Sequence, residues 1–324
     1  MRSFMIVMDQ PEPILDDRYY QIIQLGDFYV SIIKDKKNTT KVIRQLTESM
    51  PNKEFNYLKR VKSINTKGNS LQVLLCPKDD VACINEVTLE TIIGEDSSIL
   101  QYLGKPFLVK VPVTQPLTRK QYQEASLNWP CTFHEDKQIT NLLSGKYFKD
   151  IEMKNIKKHM LKAVELAQIS QQKHQEPIGA VIVDPTNDTI ISASHDLRRR
   201  DHPLQHAVMI CIDLVARSQG GGMWKLSDNE IFYNQDINTA MSRENKTGPY
   251  LCTGYDLYVT QEPCSMCAMA LVHSRINRVF YGSSHKEGAL GSFYKIHTQK
   301  GLNHHYEVYK NTLSIECHKL YDQT

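Results

Sequence analysis

The sequence has no long hydrophobic run and no marked excess of charge of one sign. Its 324 residues include 39 Lys+Arg and 36 Asp+Glu, so the formal net charge is only +3. No stretch approaches the ~20 apolar residues of a membrane-spanning helix, and the apolar stretch near the N-terminus is too short for a secretory signal. These features argue against a membrane-spanning or broadly basic chain, and any nucleic acid would be bound by local patches.

The eight cysteines are not arranged as the disulfide framework of an exported protein. Without an export signal they are typical of reduced thiols, and we expect the protein in the nucleus and cytoplasm. Six of them have no partner at metal-ligand spacing and are interpreted as small buried hydrophobes: Cys76, Cys83, Cys131, Cys211, Cys252 and Cys317. Cys264 and Cys267 differ, because they form the motif P-C-x-x-C.

The first 113 residues predict a separate α+β domain. Runs such as "IIQLGDFYVSII" and "SLQVLLCP" read as strands, and "KNTTKVIRQLTESM" reads as a helix with polar N-capping residues. The resulting order βαββαβ predicts a ferredoxin-like domain, a fold that can expose an open sheet face. Residues 114–150 have weak periodicity and are interpreted as a connecting segment.

Residues 151–324 predict an α/β/α sandwich. "MKNIKKHMLKAVELAQISQQ" is an amphipathic helix, and "PIGAVIVD", "TIISASHD", "DLYVTQ" and "RVFYG" are short apolar strands typical of a sheet covered by helices. Residues of about 218–249, with a Gly triplet and many Asn, Asp and Ser, are interpreted as a mobile insertion.

Three residues of this second domain form a candidate metal site. His206 precedes an apolar helix, and Cys264 and Cys267 lie at i and i+3 where a second helix is predicted to begin. A helix N-terminus favours thiolate, and one imidazole with two thiolates suits one tetrahedral zinc per chain. A lone C-x-x-C could instead be a redox pair or a coincidence, but Pro263 and the preceding strand favour zinc.

The pattern matches the H-x-E…P-C-x-x-C signature of zinc-dependent nucleobase deaminases at every position except the glutamate. That glutamate moves protons while the zinc activates water, and here Val208 stands in its place. Valine has no titratable group, so no catalytic residue is assigned. Glu262, directly before Pro263, is a weak candidate for a substitute carboxylate, whereas Asp213 lies nearly two helical turns beyond His206 and is too far along the helix to reach the metal. The C-terminal carboxylate of Thr324 is a candidate to cover the metal.

The segments "HPLQHAVMICIDLVAR", "YLCTGYDLYVTQEPCSMCAMALVHSRINRVFYG" and "GLNHHYEVY" resemble the non-catalytic subunit of the eukaryotic tRNA-specific adenosine deaminase. The resemblance is strong over 151–324 and fainter over 1–150. It implies a cytidine-deaminase-like fold with a zinc on His206, Cys264 and Cys267. It also implies a catalytic partner subunit, with which the chain converts adenosine to inosine at wobble position 34 of tRNA, and an N-terminal domain that helps to bind tRNA.

Two groups of cations are candidate tRNA contacts. One precedes the metal helix and the other lies on or beside a predicted strand of the N-terminal domain: Arg198, Arg199 and Arg200, and Lys59, Arg60, Lys62 and Lys67. Solvated surface charges are an equally simple interpretation.

Two other functions stay open at this point. The chain could be a self-sufficient nucleoside or nucleotide deaminase with another proton shuttle, or a zinc-stabilised RNA-binding scaffold without a deaminase partner. Turnover by the purified chain would favour the first, and the absence of any deaminase partner would favour the second.

Overall fold

The computed structural model describes residues 10–64, 70–81, 86–200, 202–226, 232–233 and 249–321. The chain divides into two compact units, of which one is Asp17–Thr140. The other combines the described residues up to Asp16 with those from Asn141 onward. The predicted connecting segment, 114–150, is therefore shared between the two units.

Both units contain strands and helices. The strands are β1 Glu12–Pro13, β2 Leu25–Ile33, β3 Val61–Ile64, β4 Ser70–Pro77, β5 Phe107–Pro112, β6 Gly179–Asp184, β7 Thr189–His195, β8 Phe232–Tyr233, β9 Asp256–Gln261, β10 Arg278–Ser283 and β11 Glu307–Lys310. The helices are α1 Thr39–Ser49, α2 Leu89–Ile93, α3 Arg119–Asn128, α4 Lys137–Leu143, α5 Asp150–Gln172, α6 Ala207–Ser218, α7 Ser265–Ser274 and α8 Ser314–His318. None of the described helices has the length and apolar character needed to cross a membrane.

The unit Asp17–Thr140 has the predicted ferredoxin-like order. Its sheet runs β3-β4-β2-β5 with every pair antiparallel, and α1 and α2 are the two crossover helices. This is the split βαβ arrangement, in which each helix connects strands separated by a third. The ferredoxin-like prediction is confirmed.

Side chains cover both faces of this sheet. Successive strand residues point to opposite faces, and Val73 and Leu75 pack with Val42 and Leu46 of α1 on one side. On the other side Leu74 belongs to a cluster that also contains Phe28 and Val30 of β2, Ala125 of α3 and Trp129. Both faces are therefore covered, so this unit does not use the open sheet face that the ferredoxin-like fold can expose.

The covering residues come from the segment interpreted as a connection. Helix α3 begins with a capping box, in which the Thr118 and Gln121 side chains each accept from the other's backbone N–H. Trp129, at its C-terminal end, is completely buried and donates its indole N–H to the carbonyl of Lys59 at 2.7 Å. The helix was missed because its apolar face is short and two prolines flank the segment.

The second unit is built on the sheet β1-β11-β10-β9-β6-β7-β8, in which β9, β10 and β11 are parallel. Leu257 and Val259 of β9 face the core shared with α6 and α7. Tyr258 points the other way and packs on His159 of α5, with ring centroids 5.3 Å apart. Helices therefore cover both faces, and the predicted α/β/α sandwich is confirmed.

One strand of this sheet comes from the far N-terminus. Glu12 and Pro13 pair antiparallel with Lys310 and Tyr309 of β11. The His297 imidazole contacts the Ile14 carbonyl at 2.8 Å, which fixes the same segment. These N-terminal residues therefore complete the sheet of the second unit, although they precede the ferredoxin-like unit in sequence.

Candidate metal centre

Two helix N-termini bring the three predicted ligands together. His206 is the N-cap of α6, and Cys264 is the N-cap of α7, with Cys267 in the first turn of that helix. Both cap residues have extended backbone, so each helix begins directly after a predicted metal ligand. The N-terminal end of α7, where both cysteines lie, favours thiolate over thiol.

The ligand atoms have the spacing that zinc requires. The His206 Nδ1 atom lies 3.6 Å from the Cys264 Sγ and 3.5 Å from the Cys267 Sγ, and all three ligand atoms fall within 4.8 Å of one another. A tetrahedral zinc with Zn–N near 2.0 Å and Zn–S near 2.3 Å separates nitrogen from sulfur by about 3.5 Å. Both the donor set and the spacing therefore fit zinc.

The two thiols have pKa values shifted in opposite directions. The hydrogen bond between them lowers the pKa of the Cys264 thiol, and the same hydrogen bond together with burial raises the pKa of the Cys267 thiol. Because zinc ligands must be deprotonated, a bound zinc would favour the thiolate form of both.

A buried carboxylate that sequence reasoning missed holds the ligand helix in place. Asp196 is fully buried and accepts from the Ala207 backbone N–H at 3.2 Å, directly after the ligand His206. Its charge is balanced by Arg198, which donates from Nε at 2.8 Å and from a terminal guanidinium nitrogen at 2.7 Å. The sequence signal that could have identified Asp196 is its position directly after the apolar strand β7, because loops that follow strands often carry functional side chains.

Val208 lies inside the core. Its side chain is 3% exposed and belongs to the cluster that contains Ala180, Cys211 and Cys267. The valine side chain has no group that can transfer a proton, and the packing around it is apolar. The one position that a deaminase needs for acid–base chemistry is therefore used for packing.

Neither candidate substitute carboxylate is available to move protons. Glu262 is 3% exposed and accepts from the backbone N–H groups of His285, Leu290 and Ser292 at 3.1, 3.0 and 2.9 Å, and also from the Ser292 hydroxyl. It holds the loop 285–292. Asp213 accepts from the Met223 backbone N–H at 2.6 Å and so holds the segment that follows α6. Thr324 lies outside the described residues.

We expect Glu262→Gln to destabilise the second unit by about 2–4 kcal/mol, because the amide replaces an acceptor with a donor opposite a buried N–H. Urea unfolding of the two chains measures the difference. Glu287→Gln is the matched control, since Glu287 is exposed in the same loop and should change stability by less than about 0.5 kcal/mol. Equal stability of the two variants would contradict the structural role of Glu262.

The arginines that precede the metal helix have different environments. The Arg198 guanidinium is occupied by Asp196, as described above. Arg199 is exposed and pairs with Glu176 at 2.5 Å, and Arg200 is also exposed. Their contact with tRNA stays a prediction, and it now concerns Arg199 and Arg200 more than Arg198.

Two of the four N-terminal candidates are engaged within their own unit. Arg60 donates to the carbonyls of Leu46 and Met50 at 2.9 and 2.6 Å, where α1 ends. Lys62 donates to the carbonyl of Asn128 at 2.6 Å, where α3 ends, and its ammonium lies 5.6 Å from the centroid of the Trp129 ring. Both neutralise helix C-termini. Lys59 is exposed, and Lys67 lies outside the described residues.

Comparison with known families agrees with this site. Residues 153–283 match the cytidine and deoxycytidylate deaminase zinc-binding region, so fold and ligands together define a zinc-binding domain of the deaminase class. The match to a zinc-binding region and the three ligand residues confirm the prediction of a zinc cofactor. Residues 26–129 match the N-terminal domain of tRNA-specific adenosine deaminase TAD3.

Whole-length relatives identify the family. The "Probable inactive tRNA-specific adenosine deaminase-like protein 3" of Danio rerio is 41% identical over 312 residues, which is 95% of this chain and 93% of that protein. The Homo sapiens protein of the same name is 38% identical over 320 residues, 95% of this chain and 91% of its own length. The "tRNA-specific adenosine deaminase subunit tad3" of Schizosaccharomyces pombe is 30% identical over 281 residues, which is 85% of this chain and 80% of that protein. The chain belongs to this family of tRNA-specific adenosine deaminase subunits, and the resemblance inferred from the sequence is confirmed.

Proposed function

We propose that this chain is the non-catalytic, zinc-binding subunit of a complex that deaminates adenosine to inosine at wobble position 34 of tRNA. The observation that carries the proposal is the combination of a complete three-ligand site with a buried valine at the proton-transfer position. The relatives' names, which describe a probable inactive deaminase-like protein and a deaminase subunit, support both parts.

The metal would have a mainly structural task in this chain. His206, Cys264 and Cys267 would hold it, and in deaminases of this class a bound zinc activates water. Here Val208 has no titratable group, and the carboxylates of Glu262 and Asp213 hold backbone segments elsewhere, so none of the three receives the proton of that water. The three ligands instead connect the N-termini of α6 and α7, both of which pack on the same core.

The partner would supply the catalytic pocket, and this chain would add structural support and tRNA contacts. A deaminase must take its base out of the stacked anticodon loop, which requires a grip on the rest of the tRNA. The ferredoxin-like unit is suited to provide some of these contacts, since a second domain enlarges the protein surface that can contact the tRNA. We further propose that the complex works in the nucleus and cytoplasm, where its substrate is made and used.

The proposal is tested by comparing the isolated chain with its native complex. The tagged chain is purified under denaturant-free conditions from an extract, its partner is identified, and inosine at position 34 is measured in an added tRNA transcript. We expect no inosine from the isolated chain and multiple turnovers from the complex, because only the complex contains the acid–base group.

Two results would favour the other functions. Turnover by the isolated wild-type chain would identify a self-sufficient deaminase. A chain that binds zinc and RNA but co-purifies with no deaminase, and forms no inosine in any fraction, would identify a scaffold. Val208→Ala in the complex is a useful control, because a residue that only packs should leave turnover within about threefold.

A further inference from the structure

The N-terminal segment of the second unit forms a short strap, which we define as residues 12–15. Its first two residues are β1, which pairs with β11 at the edge of the sheet, and the Ile14 backbone N–H then donates to the Val308 carbonyl at 2.8 Å. The Ile14 side chain is 8% exposed and belongs to the core that also contains residues of α6 and α7. The strap is therefore part of this unit, and the chain passes from it into the ferredoxin-like unit at Asp17.

A loop that follows β10 holds the strap in place. We refer to this loop, residues 285–297, as the clasp. The Lys295 ammonium donates to the Leu15 carbonyl at 3.3 Å, and the His297 Nε2 atom lies 2.8 Å from the Ile14 carbonyl oxygen, which can only accept. Two side chains of the clasp therefore bind consecutive carbonyls of the strap, in addition to the pairing of the strap with β11.

A glycine allows the clasp to approach the strap closely. A Cβ atom on Gly291 would lie 2.7 Å from the Cδ1 atom of Ile14 and 2.9 Å from the Tyr281 hydroxyl, and real Cβ atoms essentially never come so near other atoms. Alanine at this position would therefore separate the clasp from the strap without altering a metal ligand.

The same clasp is folded by residues of the metal motif. Glu262 lies two positions before the ligand Cys264, and its carboxylate accepts the backbone N–H groups of the clasp that were described above. The carbonyl of Pro263 accepts from the Ala289 backbone N–H at 2.9 Å. The clasp is therefore bonded to the chain directly before a metal ligand on one side and to the strap on the other.

We propose that the clasp couples the metal site to the strap. A metal that fixes Cys264 also orders the residues directly before it, so the clasp loses less conformational entropy when it folds onto them. A loaded site favours the paired strap, and an emptied site favours its release, after which only the connection at Thr140 fixes the ferredoxin-like unit to the second unit. Neither tRNA nor a catalytic partner is needed for this coupling, which therefore goes beyond the proposed function.

Thermodynamic reciprocity makes the coupling measurable from both ends. If bound zinc strengthens the pairing of the strap by some factor, the paired strap must strengthen zinc binding by the same factor. Amide hydrogen exchange reports the local opening of the strap, and competition with a chelator reports the dissociation constant of zinc. The two measurements are made on the full-length chain.

The test compares the wild-type chain with Gly291→Ala and with Gly301→Ala as the matched control. Gly301 is exposed, and a Cβ atom there would meet nothing within 4 Å. Ile14→Ala removes the same contact from the side of the strap and takes the place of Gly291→Ala if that variant does not fold. Exchange is followed by mass spectrometry in residues 10–16, with and without zinc, and the β6–β7 hairpin, residues 179–195, is the internal reference.

We expect zinc removal to lower the protection of residues 10–16 in the wild type by about fivefold or more, while the hairpin stays the better protected segment. Gly291→Ala should release the strap with zinc still bound and should weaken zinc binding by a factor that approaches the one found for zinc removal. Gly301→Ala should match the wild type in both measurements. A variant with a released strap and unchanged zinc affinity would overturn the inference. Loss of protection in residues 10–16 only together with the hairpin would also overturn it, and both results would leave the proposed function intact.

Discussion

Cys267→Ser is expected to leave the chain without zinc and to lower its free energy of unfolding by about 4 kcal/mol or more. A structural zinc site contributes binding free energy directly to folding, and serine is a poor zinc ligand. Cys267 is 2% exposed, so the remaining His206 and Cys264 would lose their buried partner as well as the metal. Elemental analysis should give about one zinc per wild-type chain and close to none in the variant, and urea unfolding gives the stability difference.

A matched control separates the metal from simple loss of a buried sulfur. Cys211 is fully buried in the same core but has no place among the ligands, so Cys211→Ser should retain about one zinc per chain. Its cost should be limited to burying a hydroxyl, about 1–3 kcal/mol. Chelator treatment should destabilise the wild-type and Cys211→Ser chains but leave Cys267→Ser unchanged. A stable, folded wild-type chain that contains no metal would contradict the structural role of the site.

Val208→Glu is expected to give no deaminase activity in the isolated chain and to destabilise it by several kcal/mol. The variant restores the residue type of the deaminase signature, yet the side chain enters an apolar cluster in which Val208 has only 3% exposure. A buried carboxyl group without hydrogen-bond partners costs about 2–5 kcal/mol. A flipped adenosine also needs stacking walls and polar contacts to its base edge, which one substitution does not create. Inosine in substrate tRNA and urea unfolding are measured without a partner.

Val208→Gln is the control for this experiment, because glutamine has nearly the same size as glutamate but cannot act as an acid or base. Both variants should be destabilised and both should be inactive. Turnover by Val208→Glu and none by Val208→Gln would mean that a substrate pocket survives in this chain. That result would contradict the interpretation of the site as a purely structural one.

The sequence by itself determined the local chemistry of the protein. His206 before an apolar helix and P-C-x-x-C before another place three ligands at helix N-termini, and the rise and turn of a helix fix the spacing of Cys264 and Cys267. The approach of His206 to the two cysteines was decided by the tertiary structure. The sequence also showed that the acid–base group is missing, because Val208 alone occupies the position of the signature glutamate. The two folds followed from strand and helix patterns, because hydrophobic periodicity is a local property.

What the tertiary structure decided were the contacts between residues far apart in the sequence. Strand β1 pairs with β11 almost three hundred residues later, and Trp129 packs in the cluster that covers one face of the ferredoxin-like sheet. Charge by itself did not distinguish Arg60, which binds the end of α1, from Lys41, which stays exposed beside Tyr102. The reason is physical: a side chain's charge is set by its type, but the partners that neutralise or expose it are chosen by packing, and packing is a property of the whole folded chain.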